Sequence, residues 1–310
     1  MTSNSYELET FQSDIKYPQL AEFPKNKKFS IPVWKPNQDQ KCKEIVIMLN
    51  GFMEGVTNDA KRREMFLMRY RLIAENLNES NIAAVLMPLP FHFMRSDDFD
   101  GNAPVKRLAE HGSYLYHGGY DQIIADVKKL TSEIKESPSK FGLNVPGESV
   151  KIHLLGYSLG GVAAMGATLE MNDVKFESLT VLLSSWNISE IDPQAIEQLF
   201  RNDFGFGESE WSRMLEELKA SSIDDHIFNQ LIWGEEEIPL PKPEKVKRIL
   251  FIHGIRDEVF SRNMTASRTN SIIERNDQTH CSFILLPDSH SGLRSRKHIA
   301  GYVSNFIRHA

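Results

Sequence analysis

The chain has little cysteine: Cys42 and Cys281 are the only two among 310 residues. Two thiols exclude a framework of several disulfides and are too few for a cysteine-based metal site. Both lie at the start of strand-like segments that we expect to be far apart, which predicts free thiols in a reducing compartment. The histidines show no H-x-x-x-H spacing and no C-x-x-C pair occurs, so we expect neither a metal nor another cofactor.

The chain also lacks an excess of basic residues. It has 36 Lys and Arg and 42 Asp and Glu, which gives a net charge of −6. Nucleic-acid-binding proteins carry a basic surface, so no nucleic-acid partner is expected. No apolar run is long enough to span a bilayer, and residues 1–18 lack the basic start and apolar core of a secretory signal. Together these absences predict a soluble cytoplasmic protein without a membrane span. Nothing in the sequence indicates an oligomeric state.

What is present is an alternation of strand-like and helix-like segments. The strand-like segments are 29–34, 44–49, 82–87, 149–155, 179–183, 248–253 and 281–286, and the helix-like ones are 60–77, 120–136, about 261–275 and about 293–308, with a further helix after residue 158. Such alternation is typical of βαβ units and predicts an α/β fold with a mostly parallel sheet flanked by helices.

Two segments interrupt this alternation. Residues 1–26 are polar and aperiodic, which predicts an N-terminal arm on the surface. Residues 188–245 contain helical fragments and a proline-rich exit, which predicts a helical cap inserted into the sheet domain. We therefore expect one domain over residues 1–310 that carries a cap, and not two independent domains.

Apolar residues at helical spacing predict which helix faces are buried. In the helix over 60–77 they are Met65, Phe66, Met68, Leu72, Ile73 and Leu77. In the helix over 120–136 they are Ile123, Ile124, Val127, Leu130 and Ile134.

The pentapeptide Gly156-Tyr157-Ser158-Leu159-Gly160 follows a strand-like segment and precedes a helix. A G-x-S-x-G sequence in a strand-to-helix turn is a nucleophile elbow, which exposes a serine hydroxyl on a strained turn. The glycines are needed because side chains two positions either side of the serine would collide with the strand or the helix. The pattern alone is weak, so its value depends on partners elsewhere in the chain.

A nucleophilic serine needs an imidazole to take its proton and a carboxylate to hold that imidazole. Reacting groups sit beyond the carboxyl ends of parallel strands. Asp257 follows the strand at 248–253, and His290 follows the strand at 281–286, so both are predicted at that edge. Asp288, two residues before His290, is interpreted as a solvated turn residue.

Other residues compete for both roles. Glu258 is adjacent to the predicted acid, and Glu190 and Asp192 follow the preceding strand, where some hydrolases place this acid. His253 ends a strand and is interpreted as a core or supporting histidine, whereas His280 precedes its strand and belongs at the opposite edge of the sheet.

The chain order Ser158, Asp257, His290 on these strand ends resembles the α/β-hydrolase superfamily, over most of the chain from residue 44 onwards. The resemblance implies an oxyanion hole formed by two backbone N–H groups. One belongs to Leu159, and the other belongs to Phe52 in the Asn50-Gly51-Phe52 turn. Asn50 departs from the usual histidine at its position, but a backbone donor does not depend on that side chain.

The resemblance implies a serine hydrolase of the carboxylesterase or lipase type, which cleaves a small-molecule ester or related acyl bond through an acyl-enzyme. The alternatives are an acyltransferase or thioesterase with the same triad, and a ligand-binding protein without turnover on the same scaffold. Aromatic residues in the loop after residue 87 either line the substrate pocket or anchor the loop: Phe91, His92, Phe93, Met94, Tyr114, Tyr116 and His117. The apolar cap residues weakly favour an apolar acyl pocket.

Overall fold

The structure is a computed structural model of the chain. It describes residues 6–16, 20–21, 23–37, 41–51, 54–55, 60–95, 120–184, 241, 244–257, 280–289 and 295–309. The strands are β1 (Glu7–Gln12), β2 (Lys28–Trp34), β3 (Glu44–Leu49), β4 (Ile82–Met87), β5 (Lys151–Tyr157), β6 (Phe176–Leu182), β7 (Val246–Gly254) and β8 (His280–Leu286). The α-helices are α1 (Pro24–Lys27), α2 (Ala60–Asn78), α3 (Tyr120–Glu136), α4 (Leu159–Glu170) and α5 (Arg296–Arg308).

The eight strands form one sheet in the order β1-β2-β4-β3-β5-β6-β7-β8. The pairs from β4 to β8 are parallel, whereas β2 runs antiparallel to both β1 and β4. The mostly parallel sheet predicted from the sequence is therefore confirmed. The strand positions agree within about three residues; the largest shifts are at β5 and β6, which were predicted at 149–155 and 179–183.

Both faces of the sheet are covered, which explains why the central strands are apolar at nearly every position. One face packs on α3 and α4, with Ile45, Ile47 and Leu154 in its core. The other face packs on α2 and α5, with Val46, Met48 and Leu155 in its core. Successive residues of a strand point to opposite faces, so the continuous runs in β3, β4 and β5 fill two cores at once.

The N-terminal segment is part of the sheet. The sequence predicts a surface arm over residues 1–26, but residues 7–12 form edge strand β1, with Phe11 paired to Phe29 and fully buried. Just beyond β1, the Ser13 hydroxyl donates a hydrogen bond to Asp126 of α3. A polar edge strand shows no apolar run, because only one of its six side chains is buried, and this hides it from a periodicity test.

The predicted inner face of α2 is confirmed in part, because Ile73 and Leu77 are buried and Phe66 and Leu72 pack against the core. The fully buried side chains are those of Leu67, Tyr70, Ile73, Ala74 and Leu77. Met65 and Met68 were predicted inside, but they are 56% and 41% exposed. The helix carries apolar residues on more than one side, so spacing alone did not decide which side faces the sheet. The predicted inner face of α3 is confirmed, because all five of its residues are buried.

The cap predicted over 188–245 lies outside the described residues except for 241, 244 and 245, and the helix predicted over 261–275 also lies outside them. Cys42 and Cys281 are both free thiols, as predicted. Within the described part of the chain, no helix has the length and apolar character needed to cross a membrane.

Candidate active site

The predicted site residues lie at the carboxyl edge of the sheet. The register pairs Leu49 with Gly156, Tyr157 with Leu182, and Leu182 with Ile252, so β3, β5, β6 and β7 end side by side. Ser158 directly follows β5, and Asp257 follows β7 after a short turn. One strand separates β5 from β7, which places the two chain ends about 10 Å apart.

Ser158 occupies the turn between β5 and α4, as the sequence predicts. Its φ of 51° and ψ of −119° lie in a region that side chains rarely adopt. A Cβ at Gly156 would lie 2.0 Å from the carbonyl oxygen of Gly160, and a Cβ at Gly160 would lie 2.5 Å from the carbonyl oxygens of Leu49 and Asn50. The strand, the helix and the loop after β3 thus touch through backbone atoms, and this contact is possible only with glycine at both positions.

Hydrogen bonds hold the strained turn. The Ser158 N–H donates to the carbonyl of Leu182 at 2.9 Å, which attaches the turn to the end of β6. The Ser158 carbonyl accepts from the Gly161 N–H at 2.8 Å and from the Ser184 hydroxyl at 2.6 Å. Ser184 was not predicted as a site residue, because its contact depends on the pairing of β5 with β6 and has no local signal in the sequence.

The turn after β3 lies against the elbow. A Cβ at Gly51 would lie 3.2 Å from the Cβ of Ser158, so Gly51 brings this backbone next to the candidate nucleophile. Phe52, the implied second oxyanion donor, lies outside the described residues. Leu159, the other implied donor, begins α4, where the first N–H groups of a helix have no partner within the helix.

Asn50, which departs from the histidine expected in the superfamily, is fully buried. Its Oδ1 accepts the N–H of Leu89 at 2.8 Å, and its Nδ2 donates to the carbonyl of Gly51 at 2.7 Å. The amide therefore links the turn after β3 to the loop after β4. This role requires a donor and an acceptor on one short side chain, which asparagine provides.

A buried charged cluster, which the sequence did not indicate, lies beneath this turn. Glu54 accepts hydrogen bonds from the Gly51 N–H at 2.8 Å, from the Arg69 guanidinium and from the Tyr70 hydroxyl. The Arg69 guanidinium also stacks over the ring of Tyr157, 3.9 Å from its centroid. We call Glu54, Arg69, Tyr70 and Tyr157 the buried cluster. Its members come from three separate parts of the sequence and carry no recognisable motif.

Burial sets the protonation of the two phenols in the buried cluster. The pKa of Tyr70 is raised well above its ordinary value, first by burial and then by the negative charge of Glu54. Burial also raises the pKa of Tyr157, and Glu54, Asp257 and Asp288 raise it further, although Arg69 opposes them. Both phenols therefore stay neutral at physiological pH, and neither supplies a base.

Asp257, the predicted acid, is buried at the end of β7. Its N–H donates to the carbonyl of Gly254 at 3.1 Å, which closes the turn and folds the residue back over the sheet edge. The Nε2 of His253 lies 3.9 Å from Asp257 Oδ2, too far for a hydrogen bond but close enough for an electrostatic contact. His253 is buried, and its interpretation as a core or supporting histidine stays a prediction.

The segment that leads to His290 lies beside the turn of Asp257. The N–H groups of Ile255 and Arg256 donate to the carbonyls of Leu286 and Asp288 at 2.8 and 3.0 Å, so the chains after β7 and β8 remain joined beyond the sheet. His290 itself, like Glu258, Glu190 and Asp192, lies outside the described residues. His280 begins β8 at the opposite edge, as predicted.

Asp288 is not the solvated turn residue that the sequence suggested. It is buried, and its carboxylate accepts the N–H groups of Ser289 at 2.9 Å and of Ser295 at 2.6 Å. One carboxylate therefore ties the two ends of the segment that carries His290. A carboxylate with two backbone donors satisfies its charge inside the protein, which is why this side chain is buried.

The aromatic residues after β4 anchor their loop. Phe91, His92 and Phe93 are fully buried, with Phe91 against Phe23 and Phe93 against Tyr70. Burial lowers the pKa of His92 to about 4, so this imidazole is neutral at physiological pH.

Tyr114, Tyr116, His117 and the apolar residues of the cap lie outside the described residues, so their predicted part in a pocket stays a prediction. Among the described residues, no three His, Cys, Asp or Glu side chains are arranged to hold a metal ion.

No family model matches the sequence, and no curated protein sequence matches it significantly. The structure, in contrast, is similar to many solved ones. The esterase Pf2001 of Pyrococcus furiosus is 13% identical, with a TM-score of 0.57 over 99% of this chain and 93% of that one. An α/β serine hydrolase without a lid from Xanthomonas campestris is 11% identical, with a TM-score of 0.54 over 100% of this chain and 96% of that one.

A third structure, Est1E from Butyrivibrio proteoclasticus, is 14% identical, with a TM-score of 0.51 over 90% of this chain and 93% of that one. The similarity in each case covers the whole sheet domain and is not limited to a local motif. Together with the strand order and the strained serine turn after β5, it shows that the chain has the fold of the α/β-hydrolase superfamily.

Proposed function

We propose that the protein is a serine hydrolase that cleaves carboxylic esters through a Ser158–His290–Asp257 triad. The observation that carries the proposal is the conformation of Ser158, held in a strained turn between β5 and α4 at the carboxyl edge of the sheet. Strain of about 1–3 kcal/mol persists only where the surrounding structure enforces it, and it is concentrated at functional sites. Several solved structures with this fold are those of esterases, which supports esters as the substrate class.

In the proposed mechanism, His290 removes the proton of the Ser158 hydroxyl as the oxygen attacks the acyl carbonyl. The N–H groups of Leu159 and Phe52 stabilise the oxyanion, and Asp257 stabilises the imidazolium. The tetrahedral intermediate then collapses, and His290 gives its proton to the departing alcohol. Water, activated by the same imidazole, attacks the acyl-enzyme and regenerates the free serine and a carboxylic acid.

The spacing of the strand ends suits this triad. A histidine from the loop after β8 has to bridge the roughly 10 Å between the chain ends at Ser158 and Asp257, and two hydrogen bonds of about 2.8 Å across an imidazole cover most of that span. Gly254 supports the same arrangement, because a Cβ there would lie 2.5 Å from the carbonyl oxygen of Asp288. The loop that leads to His290 thus starts in contact with the turn of the proposed acid.

Labelling with a fluorophosphonate probe, together with hydrolysis of p-nitrophenyl esters of graded chain length, tests the nucleophile. The wild-type protein should form a covalent adduct that the Ser158→Ala variant does not form, and only the wild type should hydrolyse the esters. Ser132→Ala, which removes a hydroxyl from an exposed position of α3, is the matched control and should behave as wild type. A Ser158→Ala variant that keeps its activity would refute the assignment.

A second set of variants tests the base and the acid. His290→Ala should lower kcat by about 10³-fold or more, whereas His253→Ala should keep most of the activity. The reverse order would make His253 the base. Asp257→Asn should lower kcat by a comparable factor; if it does not, and Glu190→Gln or Asp192→Asn does, the acid follows β6. Added alcohol or thiol acceptors distinguish acyl transfer from hydrolysis.

A further inference from the structure

The turn that leads to the proposed oxyanion donor is held by one buried carboxylate. Gly51 donates its N–H to Glu54 Oε2 at 2.8 Å, and its carbonyl accepts the Glu54 N–H at 3.4 Å. The carbonyl also accepts from Asn50 Nδ2 at 2.7 Å. The Gly51 carbonyl belongs to the same planar peptide unit as the N–H proposed as the second oxyanion donor, so these contacts hold the Gly51 end of that unit.

The negative charge of Glu54 is unfavourable for catalysis at this position. A negative side chain next to the site where an oxyanion develops opposes that charge, and the opposition is strong in a buried region of low dielectric constant. Arg69 counters it, because its guanidinium is paired with the Glu54 carboxylate and is itself largely buried. Burial lowers the pKa of Arg69, because it disfavours the charged form. Contacts with Tyr157, Glu54 and Tyr70 raise this pKa by more, so the net pKa of Arg69 is raised.

Arg69 is positioned by more than its charge. Its guanidinium stacks on Tyr157, the residue that precedes the nucleophile. The Tyr157 ring in turn packs under the oxyanion turn, because a Cβ at Gly51 would lie 2.8 Å from Tyr157 Cδ1. The buried cluster therefore touches both the turn after β3 and the residue before Ser158.

We propose that Glu54 and Arg69 are positioning residues, which act as a charge-neutral pair that holds the backbone donor of residue 52 in place for the oxyanion. The proposal rests on the proposed serine hydrolase function. Glu54 supplies the geometry, because it holds Gly51 on both sides: its carboxylate accepts the Gly51 N–H, and its own N–H donates to the Gly51 carbonyl. Arg69 supplies the compensating charge, without which the carboxylate would oppose the transition state.

The variants Glu54→Gln, Arg69→Met and the double variant test the pair through kcat and KM for a p-nitrophenyl ester. A misplaced donor weakens binding of the transition state and leaves the ground state unchanged, so we expect kcat to fall and KM to stay within about twofold. Loss of one oxyanion donor costs about 10²–10³-fold in kcat, so a displaced donor should cost Glu54→Gln about 10- to 100-fold.

Arg69→Met leaves a buried carboxylate without its countercharge, so its loss in kcat should exceed that of Glu54→Gln. The double variant removes both charges and should recover kcat at least about fivefold relative to Arg69→Met, a coupling that a purely structural role does not produce. Arg71→Met and Glu75→Gln are matched controls, because these residues form a partly exposed ion pair on the same helix, α2. Both controls should keep wild-type kinetics.

Specific kinetic results would overturn the proposed role of Glu54 and Arg69. Glu54→Gln and Arg69→Met variants with kcat within twofold of wild type would overturn the proposal, and so would a double variant whose loss equals the product of the single losses. If Arg69→Met does not fold, the isosteric Glu54→Gln variant decides by its kcat and KM, with urea unfolding as the check on folding. A wild-type protein that neither labels nor hydrolyses esters would instead refute the proposed function.

Discussion

The strained conformation of Ser158 leads to a prediction about stability: replacing the candidate nucleophile by glycine should make the protein more stable. The φ of 51° at Ser158 is unfavourable for any residue with a Cβ and costs about 1–3 kcal/mol. Glycine adopts such angles freely, but its more flexible unfolded chain costs about 0.5–1 kcal/mol. The midpoints of these ranges give a net gain of about 1 kcal/mol, and their extremes give about 0 to 2.5 kcal/mol.

The right comparison is between Ser158→Gly and Ser158→Ala. Alanine keeps the Cβ, and therefore the strain, and both variants lack the hydroxyl, so the comparison isolates the backbone. We expect the glycine variant to have the higher free energy of unfolding in urea and a Tm higher by about 2 °C per kcal/mol. Both variants should be inactive towards esters.

The same pair of substitutions at an ordinary helical position provides the control. Ser132 lies inside α3, four residues before the helix ends at Glu136, and is exposed, so glycine there should be about 1 kcal/mol less stable than alanine. The sign of the Ala-to-Gly difference should therefore be opposite at the two positions. An equal or lower stability for Ser158→Gly than for Ser158→Ala would show that the turn is not strained, and would remove the main support for the proposed function.

Two further predictions concern stability away from the serine. Gly156→Ala should lower the free energy of unfolding in urea by about 3 kcal/mol or more, because the new Cβ would lie 2.0 Å from the backbone oxygen of Gly160. Gly301→Ala in α5 should raise it by about 1 kcal/mol, because nothing lies within 4 Å of the new Cβ. Equal effects of the two substitutions would contradict this packing. The pKa of Glu44 is lowered below its ordinary 4.5, first by its contact with His153, whose Nε2 lies 3.4 Å from Glu44 Oε2, so its contribution to stability is present above pH 4.5 and is lost as pH falls through the lowered pKa. Urea unfolding at pH 6 and at successively lower pH should show a smaller loss for Glu44→Gln than for wild type, and equal losses would refute this assignment.

The sequence was most informative where local pattern and tertiary environment coincide. The runs that became β3 and β4 were placed at their observed bounds, because parallel strands buried on both faces must be apolar throughout. It failed for β1, since an edge strand with one buried side chain shows no such pattern. For α2 it placed Ile73 and Leu77 correctly but put Met65 and Met68 inside, because the apolar residues are distributed around the helix and only contact with the sheet selects among them.

The candidate site likewise has features that the sequence predicted and features that it did not. The elbow has a local steric requirement, glycine on both sides of a strained serine, and this requirement is visible as a motif. Asp288 was misread and Ser184 was missed, because their partners are backbone groups supplied by neighbouring strands. The buried cluster was missed for a similar reason. Its carboxylate and guanidinium are 15 residues apart in sequence, so their pairing could not be predicted before the fold placed them next to the same turn.

By itself, then, the sequence determined the α/β architecture, the elbow at Ser158 and the chain order of the proposed triad. These depend on hydrophobic periodicity and on backbone sterics, which act over a few residues. Only the tertiary structure decided that the N-terminal segment is a strand, that Asp288 is buried, and that Glu54 and Arg69 form a pair beside the oxyanion turn. Those features depend on which polar groups lose contact with water when the sheet assembles, and a buried polar group is stable only with partners that distant parts of the chain supply.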